Sequence, residues 1–413
     1  MREMKPSSME WVGDIPTSWK VMPNKYLMRK KKEICPVYNG EDILSLTMKG
    51  VIVRDLDAGG KMPASFDGYQ RLEPGNLLMC LFDIDVTPRC IGLIKQTGLS
   101  SPAYSQFVLC DDANAAYYCY YYTMLDNDKT LLHLAKNLRH SLTEDQLGAL
   151  PVIVPPMDEQ HRIADFLDAK CAEIDALTAD IQSQIDTLEQ YKRSVITETV
   201  TKGLNSNAEM KDSGIQWIGQ MPLSWNTVPN KYLMYKIKSI CPIYNGENIL
   251  SLTTNGVIIR DLNGGGKMPA SFDGYQKVVP GNLLMCLFDI DVTPRCIGLI
   301  RDFGLTSPAY SQFAMKDGAY APYYYYYYLM VDYTKELLHM AKNLRHSLTE
   351  DQLGAIKAPR PPYDEQIQIA EYLDNKCSEI NQVIVDKNNQ ITTLDKYKKS
   401  LIFEYVTGKK EVV

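Results

Sequence analysis

The 413-residue chain contains no apolar run that approaches the roughly 20 residues of a membrane-spanning helix. Its first residues, 1–5, carry no apolar signal stretch, so we expect a cytoplasmic location and no membrane partner. The 10 cysteines include no Cys-x-x-Cys pair, and the five histidines form no ligand-spaced group with cysteines or carboxylates. The sequence therefore favours buried free thiols over disulfides or zinc, and we expect no metal.

Motifs of catalysis are missing as well. Gly264-Gly265-Gly266 lacks the spacing and the following helix of a phosphate-binding loop. The segment 360–363, Arg-Pro-Pro-Tyr, is superficially similar to the Asn/Asp-Pro-Pro-Tyr motif of amino-methyltransferases. An arginine cannot accept a hydrogen bond from a target amine, and the matching segment 154–157 reads Val-Pro-Pro-Met. We therefore expect no catalytic residue in this chain.

The net charge of −6 argues at first against a nucleic-acid partner, because phosphates attract lysine and arginine. The acidic residues are unevenly distributed, however. The segment 158–200 holds ten acidic and four basic residues, and the segments 19–109 and 225–316 are mildly basic. The overall charge therefore does not exclude binding to DNA.

The chain is one unit written twice. Trp11 returns as Trp217, and this offset of 206 positions continues without a gap to Leu401. The segments 59–70 and 74–94 recur letter for letter. Eight cysteines also recur, as the pairs Cys35/Cys241, Cys80/Cys286, Cys90/Cys296 and Cys171/Cys377. A solenoid needs at least three stacked units, so two copies predict a pseudo-symmetric pair of modules instead.

The first 150 or so residues of each copy predict a mixed α/β module. Apolar and polar residues alternate over 77–91, which predicts a half-buried strand or hairpin with Cys80, Phe82, Ile84, Val86 and Cys90 on one side. The tyrosine run 117–122 recurs at 323–328, and an apolar helical pattern follows each run. These tyrosines are able to stack on splayed bases, but aromatic residues at helical spacing favour a core position.

Each module ends at a proline pair, 155–156 or 361–362, and a long heptad pattern follows with Asp158 as the expected helix cap. The first helix repeats Leu167, Ile174, Ile181, Leu188 and Val195, and the second repeats Leu373, Ile380, Leu394 and Leu401 with Lys387 interrupting. A neighbouring stripe contains Ile163, Leu177, Tyr191, Ile369, Val383 and Tyr397. About 40 helical residues span on the order of 60 Å. So narrow a seam needs a partner, and the duplicate helix is the obvious one.

Three motifs stand out, and two of them occur in both copies. They are Trp-x-Gly-x-x-Pro-x-x-Trp at 11–19 and 217–225, Leu-x-Pro-Gly-Asn at 72–76, and a module-to-helix junction with Pro-Pro-x-Asp-Glu-Gln at 147–167 and 353–373. With this set, the chain resembles the DNA-specificity subunits of type I restriction-modification systems over nearly its whole length.

The resemblance implies an α+β fold: two pseudo-symmetric mixed α/β target-recognition domains separated by two long antiparallel coiled-coil helices. The expected boundaries are 1–157 and 204–362 for the recognition domains, and 158–203 and 363–413 for the helices. It further implies that the helices bind two modification subunits, which methylate adenine at N6 using S-adenosylmethionine, and that restriction subunits join where a system has them. This chain would itself be non-catalytic and carry no cofactor.

Base edges are read by side chains with planar or forked hydrogen-bonding groups. We expect the base edges of double-stranded DNA to be contacted by one set of residues in each copy. In the first copy these are Arg54, Lys61, Tyr69, Arg89, Tyr104 and Gln106, and in the second copy Arg260, Lys267, Tyr275, Arg295, Tyr310 and Gln312. A second set lies in a short basic stretch and comprises Asn137, Arg139, Ser141, Asn343, Arg345 and Ser347. Some of these residues are expected to contact only phosphate or protein. The recurring Asp83/Asp85 pair favours a polar strand face near DNA over a nuclease metal site.

Because the modules are nearly identical, we expect a bipartite inverted-repeat target with half-site centres about one helical turn, ~10 bp, apart. The differing pairs Met48/Thr254, Lys49/Asn255, Asp57/Asn263 and Glu73/Val279 are the candidates for any asymmetry. A coiled-coil adaptor with twin protein-binding modules is the alternative. A self-sufficient methyltransferase is opposed by the missing cofactor motifs.

Overall fold

The computed structural model describes residues 2–58, 63–87, 89–135, 140–264, 269–341 and 346–412. The chain divides into two compact units. Unit 1 contains Met1–Ile181 and Asn388–Val413, and unit 2 contains Gln182–Lys387. Each unit thus holds one module with a section of both long helices. The four-segment division expected from the sequence stays a prediction.

Unit 1 begins with a module of short strands and helices. Its strands are β1 (Met4–Pro6), β2 (Asp14–Pro16), β3 (Lys20–Pro23), β4 (Met28–Lys31), β5 (Leu44–Thr47), β6 (Gly50–Val53), β7 (Gln70–Leu72), β8 (Leu77–Met79), β9 (Ile91–Leu93), β10 (Gly98–Ser100), β11 (Ser105–Leu109) and β12 (Pro151–Val154). Its helices are α1 (Ala115–Asn127), α2 (Thr130–Leu134) and α3 (Glu144–Ala149), followed by the long helix α4 (Met157–Lys202).

The module of unit 2 repeats this order. Its strands are β13 (Met210–Asp212), β14 (Gln220–Pro222), β15 (Asn226–Pro229), β16 (Met234–Ile237), β17 (Leu250–Thr253), β18 (Gly256–Ile259), β19 (Gln276–Val278), β20 (Leu283–Met285), β21 (Ile297–Leu299), β22 (Gly304–Thr306), β23 (Ser311–Met315) and β24 (Lys357–Arg360). Its helices are α5 (Ala321–Tyr333) and α6 (Glu350–Ala355), and the second long helix is α7 (Tyr363–Val406). Three-residue 3-10 turns occur at Asn24–Tyr26 and Asn230–Tyr232, and a 3-10 helix spans Glu336–Met340.

An antiparallel four-stranded sheet forms the centre of each module. Its order is β4-β11-β8-β9 in unit 1 and β16-β23-β20-β21 in unit 2. The helix that contains the tyrosine run, α1 in unit 1 and α5 in unit 2, is called the tyrosine helix. It packs against this sheet beside β9 in unit 1 and beside β21 in unit 2. A separate hairpin, β5 with β6 or β17 with β18, pairs Leu44 with Val53 and Leu250 with Ile259. The main core therefore lies between the sheet, the tyrosine helix and the long helices.

The segment 77–91 is only partly the strand or hairpin that its alternation predicts. β8 and β9 do pair antiparallel, but the described residues between them, 80–87 and 89–90, form no strand. Cys80, Ile84 and Cys90 are buried anchors of this loop, whereas Val86 is 71% exposed. The alternation of apolar and polar residues therefore reflects the spacing of the buried residues in this loop. The prediction that Val86 shares one face with the buried residues of a strand is wrong.

The tyrosines of α1 belong to the core, which confirms the favoured interpretation. Tyr117, Tyr118, Tyr121 and Tyr122 are fully buried. The Tyr117 hydroxyl donates to the carbonyl of Val406 at 2.8 Å. The equivalent residues of α5 are arranged in the same way, and their rings are likewise buried. Each module thus binds the C-terminal end of a long helix through a buried tyrosine.

The long helices begin at Met157 and Tyr363, one residue before the expected cap, so that Asp158 lies inside the first turn. Within each unit their sections run antiparallel. In unit 1, Lys398 Nζ lies 2.6 Å from Asp175 Oδ1, and in unit 2 Lys192 Nζ donates to Asn381 Oδ1 at 2.9 Å. None of the helices in the described part of the chain has the length and apolar character of a membrane span.

Most of the predicted heptad positions are buried. The buried ones are Leu167, Ile174, Ile181, Leu373, Ile380 and Leu401, and the half-buried ones are Leu188, Val195 and Leu394. The expectation that the neighbouring stripe belongs to the buried coiled-coil seam is wrong at four positions. Leu177, Tyr191, Val383 and Tyr397 are exposed. Only Ile163 and Ile369 of that stripe are buried, because there the helices lie against the modules.

Candidate nucleic-acid interface

The opening and junction motifs meet in space. Trp19 is fully buried, and its indole Nε1 donates to Glu159 Oε2 at 3.1 Å. Trp225 donates in the same way to Glu365 at 2.9 Å. Arg2 also pairs with the Glu159 carboxylate at 2.5 Å. The last tryptophan of each opening motif therefore fastens the module to the first turn of its long helix.

The neighbouring glutamine completes this junction. Gln160 is fully buried on the first turns of α4. Its Oε1 accepts from the backbone N–H of Asn114 at 2.8 Å, while its Nε2 donates to the carbonyls of Asp112 at 3.1 Å and Pro155 at 2.9 Å. Gln366 makes the equivalent three bonds in unit 2. A buried amide with all its groups bonded orients the tyrosine helix and the long helix as one rigid support.

Three of the predicted site residues lie near one another in unit 1. Arg54 follows β6, Tyr69 precedes β7 and Tyr104 precedes β11. Burial raises the pKa of the Tyr104 hydroxyl, nearby Cys80 and Tyr69 raise it further, and the Arg54 guanidinium acts in the opposite direction. Arg260, Tyr275 and Tyr310 show the same relationship in unit 2. An arginine and two tyrosines, all half-buried, thus lie near one another in each module. Side chains of these types can address a base edge or a phosphate.

A pocket of about 460 Å³ lies next to this cluster in unit 1. It is lined by Leu46, Thr47, Met48, Cys80, Phe82, Val86, Thr87, Arg89 and Tyr104. Phe82 stacks against Tyr104 with ring centroids 6.2 Å apart, and Phe288 stacks against Tyr310 at 6.4 Å. The pocket therefore combines an apolar wall with the edge of an arginine.

Arg89 is held in the pocket wall by a buried acid. Its Nη1 lies 3.6 Å from Asp126 Oδ2, and its side chain is mostly buried. The same carboxylate accepts from the backbone N–H of Cys90 at 3.0 Å and from Lys129 Nζ at 2.9 Å. Arg295, Asp332 and Lys335 repeat this network. Because the guanidinium neutralises a buried charge, only its outer edge can meet a ligand.

The loop between β8 and β9 is also tied to residues 140–142. The backbone N–H of Ile84 donates to the carbonyl of His140, and His140 Nδ1 lies 2.9 Å from Asp85 Oδ2. This hydrogen bond lowers the pKa of the Asp85 carboxyl. Ser141, one of the predicted contact residues, lies half-buried beside this pair. Asp291, His346 and Ser347 recur in the same positions.

The two glutamines predicted to read bases are misplaced for that role. Gln106 is fully buried, and its Oε1 accepts from the N–H of Glu73 at 2.8 Å and from Asn76 Nδ2 at 3.2 Å. Its Nε2 donates to the carbonyl of Arg71 at 3.1 Å. Gln312 is buried in the same way. The prediction for both is corrected: these amides link β11 or β23 to the neighbouring loop inside the module.

The remaining predicted contacts stay predictions. Arg54, Tyr69, Arg89 and Tyr104 are half-buried in unit 1, and Arg260, Tyr275, Arg295 and Tyr310 are half-buried in unit 2. Lys61, Asn137, Arg139, Lys267, Asn343 and Arg345 lie outside the described residues.

Sequence reasoning missed the acid that organises the pocket. Asp126 and Asp332 lie near the ends of α1 and α5, and each is followed three residues later by a lysine. This Asp-x-x-Lys spacing recurs although the residues between differ in the two copies. The aspartate and the lysine are the same in both copies while the residues between them differ. This difference could have identified the pair from the sequence.

Residues 103–187 match the family model of the type I restriction modification DNA specificity domain. The matched segment includes Tyr104, the tyrosine helix, the junction motif and the first part of α4. The family resemblance expected from the motifs is therefore confirmed.

Two curated relatives come from Methanocaldococcus jannaschii. The chain is 25% identical to the type I restriction enzyme MjaVIII specificity subunit over 281 residues, which are 63% of this chain and 62% of that relative. It is 26% identical to the MjaX specificity subunit over 290 residues, which are 65% of this chain and 61% of the relative. The alignments thus span less than two thirds of the length of both relatives.

A solved structure, described as the basis of complex assembly and conformational transition of the type I R-M system, shares the fold. The TM-score is 0.70 at 13% identity, covering 96% of this chain and 99% of the solved chain. The expected α+β architecture with long helices is therefore confirmed.

Proposed function

We propose that this chain is the sequence-specific DNA-binding specificity subunit of a type I restriction-modification complex. It reads a bipartite inverted-repeat target, and it positions N6-adenine methyltransferase subunits on that target, together with restriction subunits where the system has them. The matched specificity domain and the named relatives support this role.

One observation carries the inverted-repeat target: the residues that line the pocket of unit 1 recur in the sequence of the second module. Eight of the nine residues that line the pocket of unit 1 have the same identity 206 positions later, and Met48/Thr254 is the exception. The supporting network of buried acid, arginine and lysine recurs as well. Two surfaces with the same chemistry are expected to select the same bases.

The chemistry of methylation belongs, in this proposal, to the partners. We propose that two modification subunits bind the complex and supply S-adenosylmethionine and the catalytic residues, while this chain is non-catalytic, binds no cofactor and works in the cytoplasm. Exposed Leu177, Tyr191, Val383 and Tyr397 on the long helices provide apolar surface for subunit contacts.

Methylome sequencing tests the proposal. A host carrying this chain and its modification subunit should contain N6-methyladenine at one bipartite inverted repeat, and deletion of this chain alone should abolish that methylation. Unchanged methylation after the deletion would contradict the proposed function, and an unrelated pair of half-sites would contradict the symmetry.

A binding measurement separates this function from a protein adaptor. Duplex DNA binding by the complex of this chain with its methyltransferase should weaken as salt rises, because phosphate contacts release counterions. An adaptor would show no sequence-dependent binding to duplex DNA at any salt concentration.

A further inference from the structure

The tips of the two equivalent hairpins have one backbone frame but different side chains. In the β5–β6 hairpin, Thr47 Oγ1 accepts from the N–H of Lys49 at 3.1 Å and donates to the carbonyl of Gly50 at 3.0 Å. The β17–β18 hairpin makes the same two bonds at 3.2 and 3.0 Å. A glycine with positive φ closes both turns, at +90° and +97°. The frame therefore presents Met48-Lys49 in unit 1 and Thr254-Asn255 in unit 2 in equivalent positions.

The tip of unit 1 borders the pocket and points into solvent. Met48 lines the pocket together with Arg89 and Tyr104, yet 60% of Met48 is exposed. Val86 stands on the same rim at 71% exposure, and its counterpart Val292 is the same residue at 73%. The rim is thus an exposed, partly apolar surface in which the hairpin tip alone differs between the modules.

Another differing pair has a structural explanation. Glu73 forms an ion pair with Lys31 in unit 1. In unit 2 the residues at these positions are Val279 and Ile237, so both charges are exchanged for apolar side chains together. Such a coupled exchange removes both charges of the pair together, so that neither is left without the other. It does not alter the pocket, which neither residue lines.

The two tips carry side chains that suit different base edges. Methionine offers an apolar contact to the methyl group of thymine, and lysine donates to guanine O6 and N7. Asparagine forms a bidentate pair with adenine N6 and N7, and a threonine hydroxyl bonds to either kind of base. The two tips therefore cannot have the same base preference if they reach the same groove position.

We propose that the tip of this hairpin is a specificity element, and that it makes the two modules prefer different bases at the one base-pair step beneath it. Met48-Lys49 selects thymine or guanine, and Thr254-Asn255 selects adenine. This inference rests on the proposed function and refines it: the target is an inverted repeat whose two halves differ beneath the tips.

The test uses the complex of the full chain with its modification subunit on a duplex library with randomised half-sites. The variant M48T/K49N gives both modules the tip of unit 2, and T254M/N255K gives both the tip of unit 1. We expect the wild-type preferences to differ at one step by about fivefold or more, the scale of a base contact. Each double variant should make the two halves equal there, toward adenine in the first case and thymine or guanine in the second.

E73V is the matched control, because it changes a differing position away from the pocket. It should leave every base preference unchanged. The inference is overturned if the double variants keep the wild-type preferences, or if E73V alters the half-sites as much as they do. A wild-type complex without any sequence preference would instead refute the proposed function itself. Equal melting temperatures of all variants would show that the comparisons concern folded protein.

Discussion

Replacement of Gln160 by leucine should loosen the junction between the first module and its helix. Leucine fills a similar volume but leaves three groups without a partner: the N–H of Asn114 and the carbonyls of Asp112 and Pro155. All three bonds are made by a side chain with no exposed surface, so water cannot replace the lost amide without opening the junction.

The size of the effect follows from this count. Each hydrogen bond contributes about 1 kcal/mol net, and a buried group left unsatisfied costs about 1–3 kcal/mol. Burial of the leucine offsets part of the loss. We expect the free energy of unfolding of unit 1 to fall by about 3 kcal/mol, which corresponds to a decrease of about 6–12 °C in the Tm of a unit of this size.

Two measurements check the prediction. Thermal unfolding should show the shift, and hydrogen exchange should show faster exchange of the Asn114 amide at the start of α1. Ala172→Leu, at an exposed position in the unit 1 section of the same helix, is the control and should shift the Tm by less than about 2 °C. If Gln160→Leu has the same Tm as this control, the three hydrogen bonds make no net contribution to the free energy of unfolding and the reasoning fails.

Three further variants or reagents probe the same contacts. Asp332→Ala should lower the free energy of unfolding by about 3 kcal/mol in urea titrations, because it leaves two cations and a buried N–H unpaired; a loss below about 1 kcal/mol would contradict the network. Tyr122→Phe should cost about 1–3 kcal/mol in the same assay, since Asn24 Oδ1 loses its donor. A thiol reagent at neutral pH should label exposed Cys110 and spare Cys90, whose pKa burial raises to about 12; equal labelling in a mass spectrum would refute this.

The long helices were predictable because their signal is local. The seven-residue repeat depends only on the helix period, and proline pairs mark both starts. The failure at Leu177 and Tyr191 has a physical reason. Two helices bury a single seam against each other, and a second stripe is covered only where a module lies beside it, as at Ile163.

The candidate site was less accessible to prediction. Residue type alone selects Gln106 as readily as Arg54 as a residue that contacts base edges. Whether such a side chain is buried, and which groups it bonds to, depends on which strands pair. Asp126 looked like an ordinary helical acid, and only the fold brings it to the amide of Cys90, 36 positions away. Residue type therefore identified the class of contact, while the topology decides which members of that class face outward.

Both tyrosine helices hold the end of a long helix, but the two units differ in when that end is synthesised. Unit 2 is one continuous stretch, Gln182–Lys387, in which Tyr323 bonds to the carbonyl of Val200 upstream. Unit 1 needs Val406, which is synthesised after the whole of unit 2. Domains usually fold from the N-terminus during synthesis. Here the second-encoded module can complete its core first, and the first-encoded one must wait for the end of α7.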